Sequence, residues 1–422
     1  MASISATTDD IPSGSLAMDV PGWRRSLVIL ILLTGGVKST LAFTTIVPGL
    51  QMIAAEYGGK DPILGAQRLL QFAPFGMALA GLVAGLFVRP KNIRGTMFIA
   101  LGISCVAGLL PLVVHNYSML LGSRFVLGFS AVVADVAMTS ALAAYFTGAL
   151  RAKLIGFRQA FSHVGTVLTF AVSGFLMHSY GWRAASLMFV VPGILLVLAF
   201  IAFDRPIKDD TTVFVGSFGE KTKSFLSELL NLMPLLILCA LMALGHAMPS
   251  YQMPFLLREN GITDTRLISF VPSLSAGISI LSALIFGFVY ARAGWITLAL
   301  ASTAMGIGFI GVGLTTNYYV ILSFIVIEGI GAGWTMPFFL AQILDRTVAT
   351  MRRVAIGLTL SFMFFGQSLN ADVTKAIRDQ VGLHMAFVVV GIALFVIAAA
   401  IALWANTRKP TAGRVFKPDP AA

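Results

Sequence analysis

Twelve apolar runs follow one another along this 422-residue chain, near 26–53, 64–88, 95–114, 118–147, 154–177, 184–203, 229–257, 267–291, 295–314, 318–344, 353–374 and 384–405. Each reaches or exceeds the ~20 residues that an α-helix needs to cross the hydrocarbon core of a bilayer. The composition agrees: 57% of residues are hydrophobic and 11% charged, against roughly a quarter charged in soluble domains. The expectation is an all-α membrane protein with twelve transmembrane helices, embedded in the lipid bilayer. Gly and Pro recur inside the runs, as in Thr34-Gly35-Gly36, Pro48-Gly49, Pro249 and Pro254. Membrane helices tolerate them better than soluble ones do, and some of these helices must kink.

A net charge of +11 suggests nucleic acid in a soluble chain, but here the basic residues are scattered over short links and act as an orientation signal. With a cytoplasmic amino terminus, nineteen of the 29 Lys and Arg fall on the tails and even-numbered links and seven on the outer links, leaving Lys38, Arg124 and Arg158 within the membrane. Both termini are expected in the cytoplasm, in a multi-pass protein of a bacterial inner membrane. The first twenty residues carry Asp9, Asp10 and Asp19 and no Lys or Arg, the wrong charge for a signal peptide, so a retained cytoplasmic tail is expected. Cys105 and Cys239 lie in separate apolar runs without metal-ligand spacing and read as buried thiols.

The longest link, about 204–228, is charged and divides the chain six helices against six. At an offset of 201 across it, Gly128 and Ala131 meet Gly329 and Ala332, and Arg151 meets Arg352. Within 155–172, six identities recur at that offset: Ile155/Ile356, Gly156/Gly357, Phe161/Phe362, Gly165/Gly366, Leu168/Leu369 and Val172/Val373. A duplicated six-helix unit accounts for them, a plan common in secondary transporters, whose substrate site lies where the repeats meet. The expected division is a tail at 1–23, a six-helix bundle at 24–203, a cytoplasmic linker at 204–228, a second bundle at 229–405 and a tail at 406–422.

Over about 24–405 the chain resembles the major facilitator superfamily. The resemblance rests on the twelve spans in two repeats, Arg124-x-x-x-Gly128 in the fourth helix, the basic link with Arg151, Gly181-Trp182-Arg183 opening the sixth, and Ile46-Val47-Pro48-Gly49-Leu50 closing the first. It implies two six-helix bundles, transport by alternating access, a monomer and no cofactor. Two family signatures depart from the usual form. In the second-to-third link Arg89 stands where the family has an acid, and Ala291 takes that place in the eighth-to-ninth link. The fifth helix has Gly165 and Gly174 but lacks the Gly-Pro pair typical of antiporters.

Charge at membrane depth marks candidate sites, because a charged residue near a helix centre costs roughly 2.5–3.5 kcal/mol on insertion scales. Arg124, Gly128, Ala131 and Asp135 stand at i, i+4, i+7 and i+11, on one helical face. Lys38 and Asp135 lie at similar depth, so a pair between them is expected if the first and fourth helices line a common cavity, as the family resemblance implies. That pair either fixes helix packing or changes its proton occupancy when substrate arrives. Arg158 either snorkels to the cytoplasmic surface or contacts substrate, and His163 is a proton relay or a packing histidine. The second half offers His246, Glu328, Trp334, Gln367 and Asn370. Glu328, well inside its span, needs water, a partner or a proton. Lys38, Arg124 and Arg158 against Asp135 and Glu328 leave one excess positive charge, which leans towards an anionic, carboxylate-bearing solute.

The chain shows no His-rich box, Gly-x-Ser-x-Gly elbow, phosphate-cradling Gly-x-x-x-x-Gly-Lys loop or Cys/His metal spacing, so the reading is not an enzyme. The expected function is secondary active transport of a small organic solute coupled to protons. The alternatives are a proton-antiporting drug or metabolite exporter of the same fold, and a non-transporting sensor.

Overall fold

A computed structural model describes residues 22–57, 59–88, 92–146, 148–203, 218–347 and 352–407. Nearly all of the expected amino-terminal tail, most of the linker, the Arg89-Pro90-Lys91 link and nearly all of the carboxy-terminal tail lie outside these residues. Among the described residues the chain is helix and turn, with no strand.

The helices of the described residues are consistent with twelve consecutive passages. In the first bundle α1 (Gly22–Thr44) and α2 (Leu50–Glu56) form one passage interrupted by a 3-10 turn at Val47–Gly49, followed by α3 (Pro62–Phe87), α4 (Ile93–Leu109), α5 (Tyr117–Tyr145), α6 (Gly148–Tyr180) and α7 (Val190–Ala202), the last entered through a 3-10 segment at Trp182–Phe189. In the second bundle α8 (Phe218–His246), α9 (Met248–Tyr251) and α10 (Met253–Glu259) share one broken passage. Then come α11 (Thr265–Ala293), α12 (Ile296–Gly313), α13 (Tyr318–Arg346), α14 (Arg352–Ser368) and α15 (Asn370–Thr407). α15 bends at Gly382, so its first part completes the eleventh passage and its second part is the twelfth. Nine segments of the described residues are long and apolar enough to cross a bilayer, the last running from Val354 to Thr407 through two passages.

Hydropathy marks where side chains are apolar, and the backbone does not stop there. α8 already starts at Phe218, inside the stretch expected to be linker, α1 starts at Gly22, and α15 continues to Thr407. A helix once begun gains one hydrogen bond per added residue, so it runs on into polar residues at the bilayer surface. The same effect lengthens the fifth passage ahead of Arg158. α6 begins at Gly148, not near 154, which places Arg158 nearly three turns inside the helix.

The duplication is visible in the backbone. Gly181 and Gly382, 201 residues apart, both have φ 83° and ψ 168°, a region essentially closed to residues with a Cβ. Asn116 and Asn317, at the same offset, are both extended N-caps whose side chains accept backbone N–H groups of the following turn. The breaks in the first and seventh passages contain Pro48 and Pro249, again 201 apart. Each bundle repeats the local rules of the other.

Within the first bundle α3 and α4 pack on α5, and α1 on α6 and α5. Within the second, α12 packs on α15 and α13, α11 on α13, and α8 on α14. The bundles meet chiefly where α6 faces α11 and α3 faces α14. The start of the sixth passage is tied to the end of the first, because Glu56 accepts both from Trp182 Nε1 at 2.6 Å and from Arg183 Nη2 at 2.5 Å. The face where α1 begins is called proximal below, and the opposite face distal.

Candidate site between the helices

Thr34-Gly35-Gly36 sets the geometry of the first bundle's centre. A Cβ at Gly35 would stand 2.3 Å from Met138 Sδ, and one at Gly36 would stand 3.1 Å from Arg158 O and 3.0 Å from Ser162 Cβ. Without those carbons α1 lies directly on α5 and α6, and Ser162 Oγ donates to Gly36 O at 3.3 Å. Two residues on, Lys38 is carried into the seam with only 1% of its surface exposed.

There three helices bring charge together. Lys38 Nζ is 3.6 Å from Asp135 Oδ1 and donates to Ala131 O at 2.8 Å. Arg158, itself 6% exposed, places Nη2 at 2.5 Å from the same Oδ1 and 3.3 Å from Asp135 O, while its Nη1 donates to Thr139 Oγ1. Ser39 Oγ donates to Asp135 Oδ1 at 3.4 Å. Both cations and the serine converge on one carboxylate oxygen, and the Asp135 side chain is 36% exposed. The cluster therefore holds two positive charges against one negative, with the carboxylate as its accessible member. Arg158 is held by Asp135 and Thr139 and does not snorkel to the surface.

The other intramembrane charges stand elsewhere. Arg124 is buried one level further along α5 towards the distal face, and its Nη1 and Nη2 have no hydrogen-bond partner. Glu328 is fully buried inside the second bundle. Its Oε2 accepts from Ser275 Oγ at 2.6 Å, its Oε1 has no partner, and its Cβ would stand 2.6 Å from a Cβ at Gly308. Arg124 and Glu328 thus join neither each other nor the Asp135 cluster. The whole-membrane charge count reduces at the cluster to Lys38 and Arg158 against Asp135.

His163 on α6 is exposed, and His246 is the last residue of α8 in the other bundle. His246 Nδ1 has no partner. Trp334 is pinned within the second bundle by its Nε1, which donates to Ser282 O at 2.9 Å. Gln367 is buried near the end of α14. Asn370 is also buried, its Nδ2 donating to Leu244 O at 2.9 Å and its Oδ1 accepting from Gln252 Nε2 at 3.3 Å. Cys239 is buried and Cys105 half-buried, both as free thiols. No group of three or more His, Cys, Asp or Glu among the described residues could hold a metal ion.

Sequence reasoning did not single out Ser39 and Thr139, neutral groups that complete the charge cluster, nor the polar residues that join the bundles. Those joining contacts share one location. Gln51 donates to Pro254 O, Gln67 to Tyr251 O and Gln252 Oε1, Gln71 to Asp372, and Thr265 to Gly174 O. Asp61 pairs with Lys375 at 2.9 Å and Arg378 at 3.3 Å, and His178 lies 3.3 Å from Asp264. These named contacts between the bundles all lie in the distal half. The available signal was glutamine inside apolar spans, since a buried amide needs partners for both its ends.

This arrangement of two packed helical repeats has known counterparts. The solved structure of a D-xylose-proton symporter superposes with a TM-score of 0.68 at 14% identity, over 89% of this chain and 97% of that one. A POT family transporter in complex with 5-aminolevulinic acid superposes with a TM-score of 0.71 at 11% identity, over 90% and 96%. The nucleoside transporter NupG gives 0.65 at 13%, over 88% and 99%. At these identities the likeness establishes the fold alone. No curated protein sequence matches the chain. The family profile of the Major Facilitator Superfamily, however, matches residues 32–371, and the chain, an integral membrane protein of the transporter fold, belongs to that superfamily.

Proposed function

We propose that the chain carries a small organic anion bearing a carboxylate across the membrane by alternating access, together with a proton. The observation that carries this reading is the convergence of buried Lys38 and Arg158 on a single oxygen of the half-exposed Asp135. Two buried cations satisfied by one anion leave a net positive charge in a medium where charges are poorly screened. A proton arriving on Asp135 removes its negative charge and loosens its hold on both cations, which are then left without an anionic partner. A solute carboxylate supplies that partner, with the planar guanidinium of Arg158 well suited to grip it. When the solute leaves, Lys38 and Arg158 favour the ionised carboxylate again, and the proton is released. Proton and anion thus travel together and the loaded cluster carries the same charge as the empty one.

In this reading His163 on α6 and His246 on α8 would contact the solute's other end. Arg124 and Glu328 act by shaping their own bundles. The neighbours that share the fold include a protein named as a proton symporter, so the fold is compatible with coupling. The bias of Lys and Arg makes the proximal face cytoplasmic, and the joined distal face then corresponds to a state closed to the outside. On the same grounds both termini lie in the cytoplasm; a monomer is proposed from the family resemblance alone, in a bacterial inner membrane.

The test is a thermal-shift screen of the purified protein against organic acids, sugars, amino acids and cationic drugs, followed by flux of the best ligand into proteoliposomes under a pH step. An organic acid that is stabilising and accumulates with the proton gradient is the expected result. A cationic drug as the best ligand overturns the anion reading, and binding without movement identifies a sensor.

A further inference from the structure

The Asp135 carboxylate is the charged acceptor on which Arg158 closes, but it is not the guanidinium's only hold on α5. Thr139 stands one turn further along that helix, and its hydroxyl donates to Asp135 O at 2.8 Å. Such a bond to the carbonyl four residues back is common for threonine in helices. Here it commits the hydroxyl hydrogen, so Oγ1 can only accept from Arg158, whose Nη1 donates to it. Nη2 also has a neutral acceptor, Asp135 O at 3.3 Å, beside the carboxylate Oδ1 at 2.5 Å. Two uncharged groups and one charged group therefore tie the guanidinium to α5. Its third nitrogen, Nε, is buried and has no partner. The contacts on the carboxylate all end on Oδ1, and among the described residues no hydrogen bond reaches Oδ2.

We propose that Thr139 is a positioning residue: it keeps the Nη1 end of Arg158 on α5 whatever the charge on Asp135, so that the edge formed by Nε and Nη2 is presented to an incoming carboxylate. An arginine grips a carboxylate with two parallel N–H groups on one edge of its plane. The edge formed by the two Nη atoms is occupied by Thr139 and Asp135. On the other edge Nε is already free, and Nη2 is released by the carboxylate when Asp135 becomes neutral. The two neutral acceptors are unaffected by that change and hold the guanidinium in place. Without Thr139 the long side chain would gain rotamers at this moment, and ordering it again would weaken binding. That the incoming group belongs to a solute rests on the transport reading above, whereas the positioning of Arg158 by Thr139 does not.

The experiment combines Thr139→Val with Asp135→Asn in the full chain in detergent micelles. It reads the melting temperature without solute, and the thermal-shift affinity for whichever organic acid the screen selects. With Asp135 ionised, its free Oδ2 can take over Nη1 when the threonine hydroxyl is lost; in Asp135→Asn no charge is there to do so. Thr139→Val is therefore expected to lower the melting temperature roughly twice as much or more in Asp135→Asn as in the parent protein. In the parent it is expected to weaken the acid about tenfold, the size of one hydrogen bond to a charged group, and Thr139→Ser, which keeps the hydroxyl, is expected to retain the affinity. Ser130→Ala removes a buried hydroxyl of the same helix that bonds Ser104, and its loss is expected simply to add to that of Asp135→Asn. Additive losses from Thr139→Val overturn the proposal, as does equal coupling from Ser130→Ala. Should the double variant not fold, affinity decides, and equal values in Thr139→Val and Thr139→Ser overturn it. A parent protein that binds no organic acid sinks the anion reading instead, and the melting temperatures alone then decide the role of Thr139.

Discussion

Replacing Asp135 by Asn separates the charge of the cluster from its shape. Asparagine keeps the size of the side chain, but the carboxylate that Lys38 approaches to 3.6 Å and Arg158 to 2.5 Å becomes a neutral amide. The local charge rises from one positive to two. Breaking a fully buried pair by removing one partner costs about 3–5 kcal/mol. Asp135 is 36% exposed, so water screens part of this loss, and a destabilisation of about 1–3 kcal/mol is expected in the absence of solute. An added anion should restore most of it, giving a larger thermal shift on ligand binding than in the parent protein. Transport separates the roles further. One proton moving with one monovalent anion is electroneutral, and a pH step of one unit is worth about 1.4 kcal/mol per proton, so the parent protein should accumulate the anion roughly tenfold. Asp135→Asn should exchange labelled anion for unlabelled anion across the vesicle membrane yet show no accumulation under the pH step. Accumulation at the parent's level, with binding intact, would refute the assignment of coupling to this carboxylate.

Gly36→Val should push α1 away from Arg158 O and Ser162, an overpacking that costs about 1–3 kcal/mol. Ligand affinity measured by thermal shift should fall at least tenfold while the protein remains helical, and undiminished affinity would separate the α1–α6 contact from the site. Gly181→Ala and Gly382→Ala each place a Cβ in a backbone region reserved for glycine, a cost of roughly 1–3 kcal/mol. The two should lower the melting temperature to a similar extent if the repeats are mechanically equivalent. Asp61 supplies a pH test. Burial alone would raise its pKa, but the Leu64 N–H and the charges of Lys375 and Arg378 outweigh this and hold the carboxyl below its ordinary value. A group depressed in the folded state stabilises fully above its unfolded value of about 3.9 and loses that contribution as pH falls through the lower folded value. The stability gap between the parent and Asp61→Asn should therefore be constant from pH 6 to 8 and close only below about pH 4. A gap that closes between pH 6 and 8 contradicts this origin.

The sequence alone determined the fold class, because runs of apolar residues long enough to cross a bilayer leave the backbone little choice but helix. It also carried the duplication, as identities such as Gly165/Gly366 and Val172/Val373 at a constant offset of 201, to which the backbone adds Gly181 with Gly382 and Asn116 with Asn317 as local requirements of a turn and a cap. The depth of Lys38 and Asp135 followed from counting residues along helices. Tertiary structure decided what counting cannot: how far helices outrun their apolar cores, and which side chains meet across helices distant in sequence. Arg158 could belong to the surface or to the solute until its guanidinium was seen to close on Asp135 and Thr139, and Arg124 and Glu328 entered the same charge count as Asp135 although they lie in separate surroundings. Gln67 and Gln252, 185 residues apart, carry no signal of their pairing in either segment. A helix's period reports which face is apolar, whereas the partner of a buried polar group is set by how whole helices pack, and that information is shared among residues that no local stretch contains.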